Sequence, residues 1–85
     1  MTKEEQEQRF RTFVQGDILA QRLPNIHSGH PIVVRAPGLN EPWQLTSEQL
    51  EAIVREYHPD LSATASGPTC VIFYEKSGQT NASAN

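Results

Sequence analysis

Thr69-Cys70-Val71-Ile72-Phe73-Tyr74-Glu75 decides the fold. The run is built from β-branched and aromatic residues, so it reads as the strongest strand of the chain. It lacks the alternation of a strand with one wet face. Val71 and Phe73 fall on one side, while Cys70, Ile72 and Tyr74, all largely apolar, fall on the other. Such a strand calls for cover on both faces, either from the two helical segments upstream or, on one side, from a second chain.

Just before it, Leu61 to Pro68 is small and polar apart from Leu61 and is expected to be a connection of moderate length. Further upstream, Thr46-Ser47-Glu48-Gln49 carries a helix-start signature, since either hydroxyl can cap and Gln49 stands three residues after Thr46. Leu50, Ile53, Val54 and Tyr57 follow at i, i+3, i+4 and i+7, with Glu48, Glu51, Arg55 and Glu56 on the other side. The spacing predicts an amphipathic helix over 47–57. His58 suits its negative end and Pro59 stops it.

Tyr57-His58-Pro59-Asp60, closing that helix, is similar to the His-Pro-Asp loop of the J-domain co-chaperones over Leu50 to Leu61. The resemblance implies a second, antiparallel helix after the loop and a basic face on the first that engages a heat-shock chaperone. This helix instead presents Glu48, Glu51 and Glu56, and a strand-like segment follows it. The motif is therefore read as a helix stop, with Asp60 capping the next turn.

Ile32-Val33-Val34-Arg35-Ala36, bracketed by Pro31 and Pro37, reads as a short strand. Pro37-Gly38 forces a turn, and Trp43-Gln44-Leu45 is expected to pair back on that strand as a hairpin, with Pro42 suiting an edge. If strands 32–36 and 70–75 are neighbours across the helix, the crossover should be parallel and right-handed; if they flank the hairpin, the sheet is mixed.

At the N-terminus, Thr2 and Glu5 form a capping box, and Glu4, Glu5 and Glu7 oppose the positive end of the helix dipole. Phe10, Phe13 and Val14 make one apolar stripe, whereas Leu19 and Leu23 fall nearly opposite. Gly16-Asp17 marks the changeover. Either two helices form, near 3–15 and 17–23, or one continuous helix is covered on two sides. Pro24 is expected to end the segment, and Pro24 to Pro31 to be a loop.

The 85 residues hold 36% hydrophobic and 20% charged side chains, which fits a single α+β domain over 1–75 with a loose tail, 76–85, that lacks large apolar residues. The expected domain has a bipartite N-terminal helix, a short hairpin, one amphipathic helix and a closing strand, in a sheet of two or three strands. Seven Lys and Arg against ten Asp and Glu give a net charge of −3. The cations are scattered along the sequence, which argues against nucleic acid as a partner. The longest apolar run, Cys70 to Tyr74, is far short of the roughly 20 residues of a membrane helix, so no membrane partner is expected. Met1 to Gln8 is polar and acidic, unlike a secretory signal, and the single cysteine leaves no internal disulfide, so a cytoplasmic location is expected. The sequon Asn81-Ala82-Ser83 is read as chance.

Few residues offer chemistry. His27 and His30 stand close together in a loop, but zinc needs three or four ligands and the remaining candidates, His58, Asp60 and Cys70, lie in separate segments. Cys70, inside an apolar strand, reads as a small buried hydrophobe rather than a nucleophile. No glycine pattern cradles phosphate. No cofactor, metal or catalytic set is expected. By elimination the chain is read as a protein-interaction module, a subunit, adaptor or inhibitor whose partner is another protein chain or a second copy of itself. Leu19, Leu23, Arg35 and Trp43 are the candidate contact residues. The alternative is a small enzyme or ligand-binding domain completed by dimerisation, using His27, His30, Arg35 or His58.

Overall fold

Thr2 starts the first helix as its spacing requires. Its hydroxyl accepts the Glu5 N–H at 3.1 Å, and the Glu5 carboxylate accepts the Thr2 N–H at 2.8 Å. The bond from the Thr2 backbone N–H first, and the Thr2 hydroxyl after it, hold the Glu5 carboxyl below its ordinary value. In the computed structural model, which describes residues 2–38 and 41–75, helix α1 covers Lys3–Gln15 and helix α2 covers Asp17–His27. Gly16 between them is extended (φ −85°, ψ 177°), so the segment is two helices and not one. The 76–85 tail and the Asn81 sequon lie outside the described residues.

Pro24 does not end α2; the helix runs three residues further. Pro24 and Ala20, whose carbonyl the ring deprives of a partner, are both exposed, so water can meet the loss. Continuing the helix brings Ile26 into full burial, worth about 1.5–3 kcal/mol. The stop comes at Gly29 (φ +97°): its N–H reaches the Ile26 carbonyl at 3.0 Å and the His30 N–H reaches Asn25 at 2.9 Å, the paired bonds of a Schellman ending.

Strand β1 is Ile32–Arg35, helix α3 is Ser47–Tyr57, and strands β2 and β3 are Leu61–Ser66 and Thr69–Tyr74. Leu61 to Ser66 is thus a strand and not the expected connection, and the hairpin is β2–β3. Ser66 pairs with Thr69 across the two-residue turn Gly67-Pro68, with Gly67 at φ +58°. Trp43 to Leu45 forms no strand. The Trp43 N–H instead donates to the Gly67 carbonyl at 2.9 Å and the Gln44 N–H to Gln6 Oε1 at 2.7 Å, so this backbone is held by a turn and a side chain.

The sheet order is β1-β3-β2, antiparallel throughout. The strands 32–35 and 69–74 are neighbours, but not parallel, because the unanticipated β2 reverses the chain once more. The parallel pair joined across α3 is β1 and β2, split by β3. The α+β class, three helices with a small three-stranded sheet, is as the sequence indicated.

Register separates the faces. Ile32, Val34, Leu61, Ala63, Ala65, Cys70, Ile72 and Tyr74 share the side that joins the helices in one core with Phe10, Val14, Leu19, Ile26, Trp43, Leu50, Ile53 and Val54. Val33, Arg35, Ser62, Thr64, Ser66, Thr69, Val71 and Phe73 belong to the opposite side, where only Ser62, bonded to Glu51 of α3, is buried.

Candidate functional site

The two edges of the sheet are treated differently. Antiparallel ladders alternate, so every second residue of an edge strand turns its N–H and C=O away from its neighbour. On β2 these are Leu61, Ala63 and Ala65, and α3 reaches over that edge. Ser47 Oγ accepts the Ala65 N–H at 2.8 Å, and Arg55 Nε donates to the Leu61 carbonyl at 3.0 Å. Arg55 is itself clamped between Glu51 at 3.0 Å and Glu75 at 2.6 Å. On β1, the Ala36 N–H meets the Pro68 carbonyl at 2.8 Å, so the even-numbered residues pair with β3 and those of Val33 and Arg35 face outward. Among the described residues no backbone or side-chain group pairs with them.

Beside this open edge lie two adjoining clefts that share Phe13. One, of about 170 Å³, is lined by Phe10, Phe13, Val34, Pro37 and Trp43 with Arg9 and Arg35. The other, of about 280 Å³, is lined by Phe13, Ile18, Pro31 and Val33 with Arg22. Ile18 and Val33 are the most exposed large apolar residues described, at 63% and 62%. Trp43 packs edge-on against Phe10, centroids 5.4 Å apart, and its buried indole N–H has no acceptor among the described residues.

The chain is acidic overall, yet three of its cations converge here. Arg11 is held by Glu56 at 2.7 Å and Glu7 at 3.2 Å, a clamp that raises its own pKa and lowers that of Glu56. Arg9, Arg22 and Arg35 make no ion pair among the described residues, and the described lining of the two clefts contains no carboxylate.

Of the four candidate contact residues, the fold brings together only Arg35 and Trp43, in the smaller cleft. Leu19 is fully buried and Leu23 packs partly buried against the core, so both serve the fold of the single chain. Sequence reasoning missed Arg9, Phe13, Ile18, Arg22 and Val33. A signal existed in Ile18, which stands beside the helix break and off the Leu19–Leu23 stripe.

The histidines do not converge. His27 ends α2 with Nε2 2.6 Å from Asp60 Oδ2 and its ring edge-on to Tyr74, His30 is exposed, and His58 Nε2 lies 3.3 Å from the Val14 carbonyl. Asp60 thus ties α2 to the end of α3 instead of capping a turn, and β2 starts at Leu61, where the J-domain resemblance implies a helix. No group of three or more potential metal ligands occurs among the described residues. Cys70 is fully buried, and burial pushes its thiol up to about 12, which withholds the reactive thiolate. No helix among the described residues is long and apolar enough to cross a membrane. No protein-family model matches the chain, and no curated protein or solved structure matches it.

Proposed function

We propose that the chain is a protein-interaction module of the cytoplasm, a subunit, adaptor or inhibitor that docks through β1 and the uncovered side of its sheet. One observation carries the reading: β3 is apolar on both sides but the helices cover only one. By register, Val33 and Val71 are cross-strand neighbours on the open side, and Phe73 lies two residues further along β3. Val33 is 62% exposed and Val71 and Phe73 are half-buried, whereas Cys70 and Ile72 on the covered side are fully buried. A wet sheet face usually carries polar residues at such positions, and a contiguous apolar departure marks a contact surface. The buried, unpaired Cys70 supports a reducing compartment.

Substituting Phe73→Glu or Val33→Glu tests the reading. Each variant should keep its thermal midpoint within a few degrees. In size-exclusion chromatography of native extract, each should lose at least about tenfold of the protein that co-elutes stoichiometrically with the unmodified chain. Co-elution unchanged in both variants would contradict the proposal.

A further inference from the structure

We infer that the open edge of β1 receives an acidic, extended segment of a partner protein as a fourth strand. Its alternate apolar side chains enter the two clefts, a carboxylate between them meets Arg35 on the open side, and the acidic residues that flank the paired stretch meet Arg9 and Arg22 at the cleft rims. The inference rests on the reading of the chain as an interaction module and narrows it to one edge and one partner chemistry.

Three observations converge on that occupant. The first is the outward N–H and C=O of Val33 and Arg35, which offer a short ladder of the kind an added strand completes. On β2 the outward backbone of Ala65 is met by Ser47 and the Leu61 carbonyl by Arg55, side-chain cover that β1 lacks among the described residues. The second is the pair of adjoining clefts. The clefts share Phe13 and are lined by successive residues of β1, Ile32 and Val33 in one and Val34 and Arg35 in the other, so they follow one another along the edge. Pro31 and Pro37 bracket the edge and limit the added strand to a few residues. The third is charge. Arg11 and Arg55 are held in ion pairs with carboxylates of the chain itself, whereas Arg22 and Arg35 make none among the described residues and Arg9 acts on Glu5 only at longer range.

The same charges argue against the other occupants. A second copy paired edge to edge would bring Arg22 and Arg35 towards their own counterparts, a like-charge juxtaposition that suppresses association. Single-stranded nucleic acid would need a row of aromatic faces on which bases stack, whereas Trp43 is buried and the half-buried Phe13 and Phe73 lie on different sides of the sheet.

The test uses the full 85-residue chain and a capped eight-residue peptide alternating valine and glutamate. Controls are the same peptide with lysine for glutamate and a single-stranded DNA dodecamer. Trp43, the single tryptophan, reports binding by fluorescence, and amide shifts locate it. Saturable binding of the glutamate peptide is expected, with the largest shifts at Val33 and Arg35 and at least about tenfold weaker binding of the lysine peptide. Arg22→Glu with Arg35→Glu should weaken the glutamate peptide by about tenfold or more and favour the lysine peptide, with the thermal midpoint unchanged.

Equal affinity for both peptides, tighter binding of the DNA, shifts confined to Val71 and Phe73, or a dimer that protects β1 without peptide would each overturn the inference. If the glutamate peptide fails to bind while Phe73→Glu still abolishes co-elution, strand addition alone falls. Failure of both removes the interaction reading itself.

Discussion

The Gln6 side chain accepts the Gln44 N–H at 2.7 Å and donates to the Pro42 carbonyl at 3.1 Å, pinning the segment that carries Trp43 against α1. A buried amide in this position stabilises mainly by keeping two backbone groups from going unpaired. Gln6→Ala should therefore cost about 1–3 kcal/mol in urea denaturation and alter Trp43 fluorescence. Gln8→Ala, on the exposed side of the same helix, should stay within about 0.5 kcal/mol. Equal effects from the two substitutions would show that the bridge does not hold the segment. Gln6 stands four residues before Phe10 on the same side of α1, but a polar side chain carries no apolar signal and its burial was not read from the sequence. Its partners, more than thirty residues away, were not legible either, because no local pattern records which backbone group an amide will find.

At the level of elements, both capping boxes and the span of α3 were written plainly, since caps and 3.6-residue periodicity act within a few residues. The errors came where two local signals competed. Read from the sequence, Pro24 ends the segment and Gly29 lies inside a loop, although a proline on the wet side of a helix removes one bond while a glycine at C′ ends the helix. Gly29→Ala leaves room for the Cβ but forces a side chain into the left-handed region, so a loss of about 1–2 kcal/mol is expected in chemical denaturation. An unchanged midpoint would mean that α2 ends elsewhere. Strand β2 was hidden for a different reason. Leu61, Ala63 and Ala65 alternate with Ser62, Thr64 and Ser66, but alanine is a weak strand former, and the period-2 pattern read as a polar connection. Ser66-Gly67-Pro68-Thr69, a two-residue turn with glycine first, was the stronger clue. Trp43-Gln44-Leu45 alternates as a strand does, and tertiary contacts override the pattern.

On the scale of the whole molecule, β3 occupies the centre of the sheet, as its length and apolar character favour, and the two edges come to differ in chemistry. Arg9, Arg22 and Arg35 look scattered along the chain because their convergence depends on α1, α2 and β1 meeting at one edge. The histidine readings turned on the same long-range geometry: His27 and His30 are both exposed, yet His27 alone meets Asp60, across thirty-three residues.

Amide hydrogen exchange along β1 tests the open edge most directly, because neighbouring residues should behave oppositely. In the free chain, Val33 and Arg35 should exchange at nearly the rate of an unstructured peptide. Val34 and Ala36, which face β3, should be slower by at least about a hundredfold. Val33 and Arg35 exchanging as slowly as Val34 would contradict the account, since it would show that the edge is already closed.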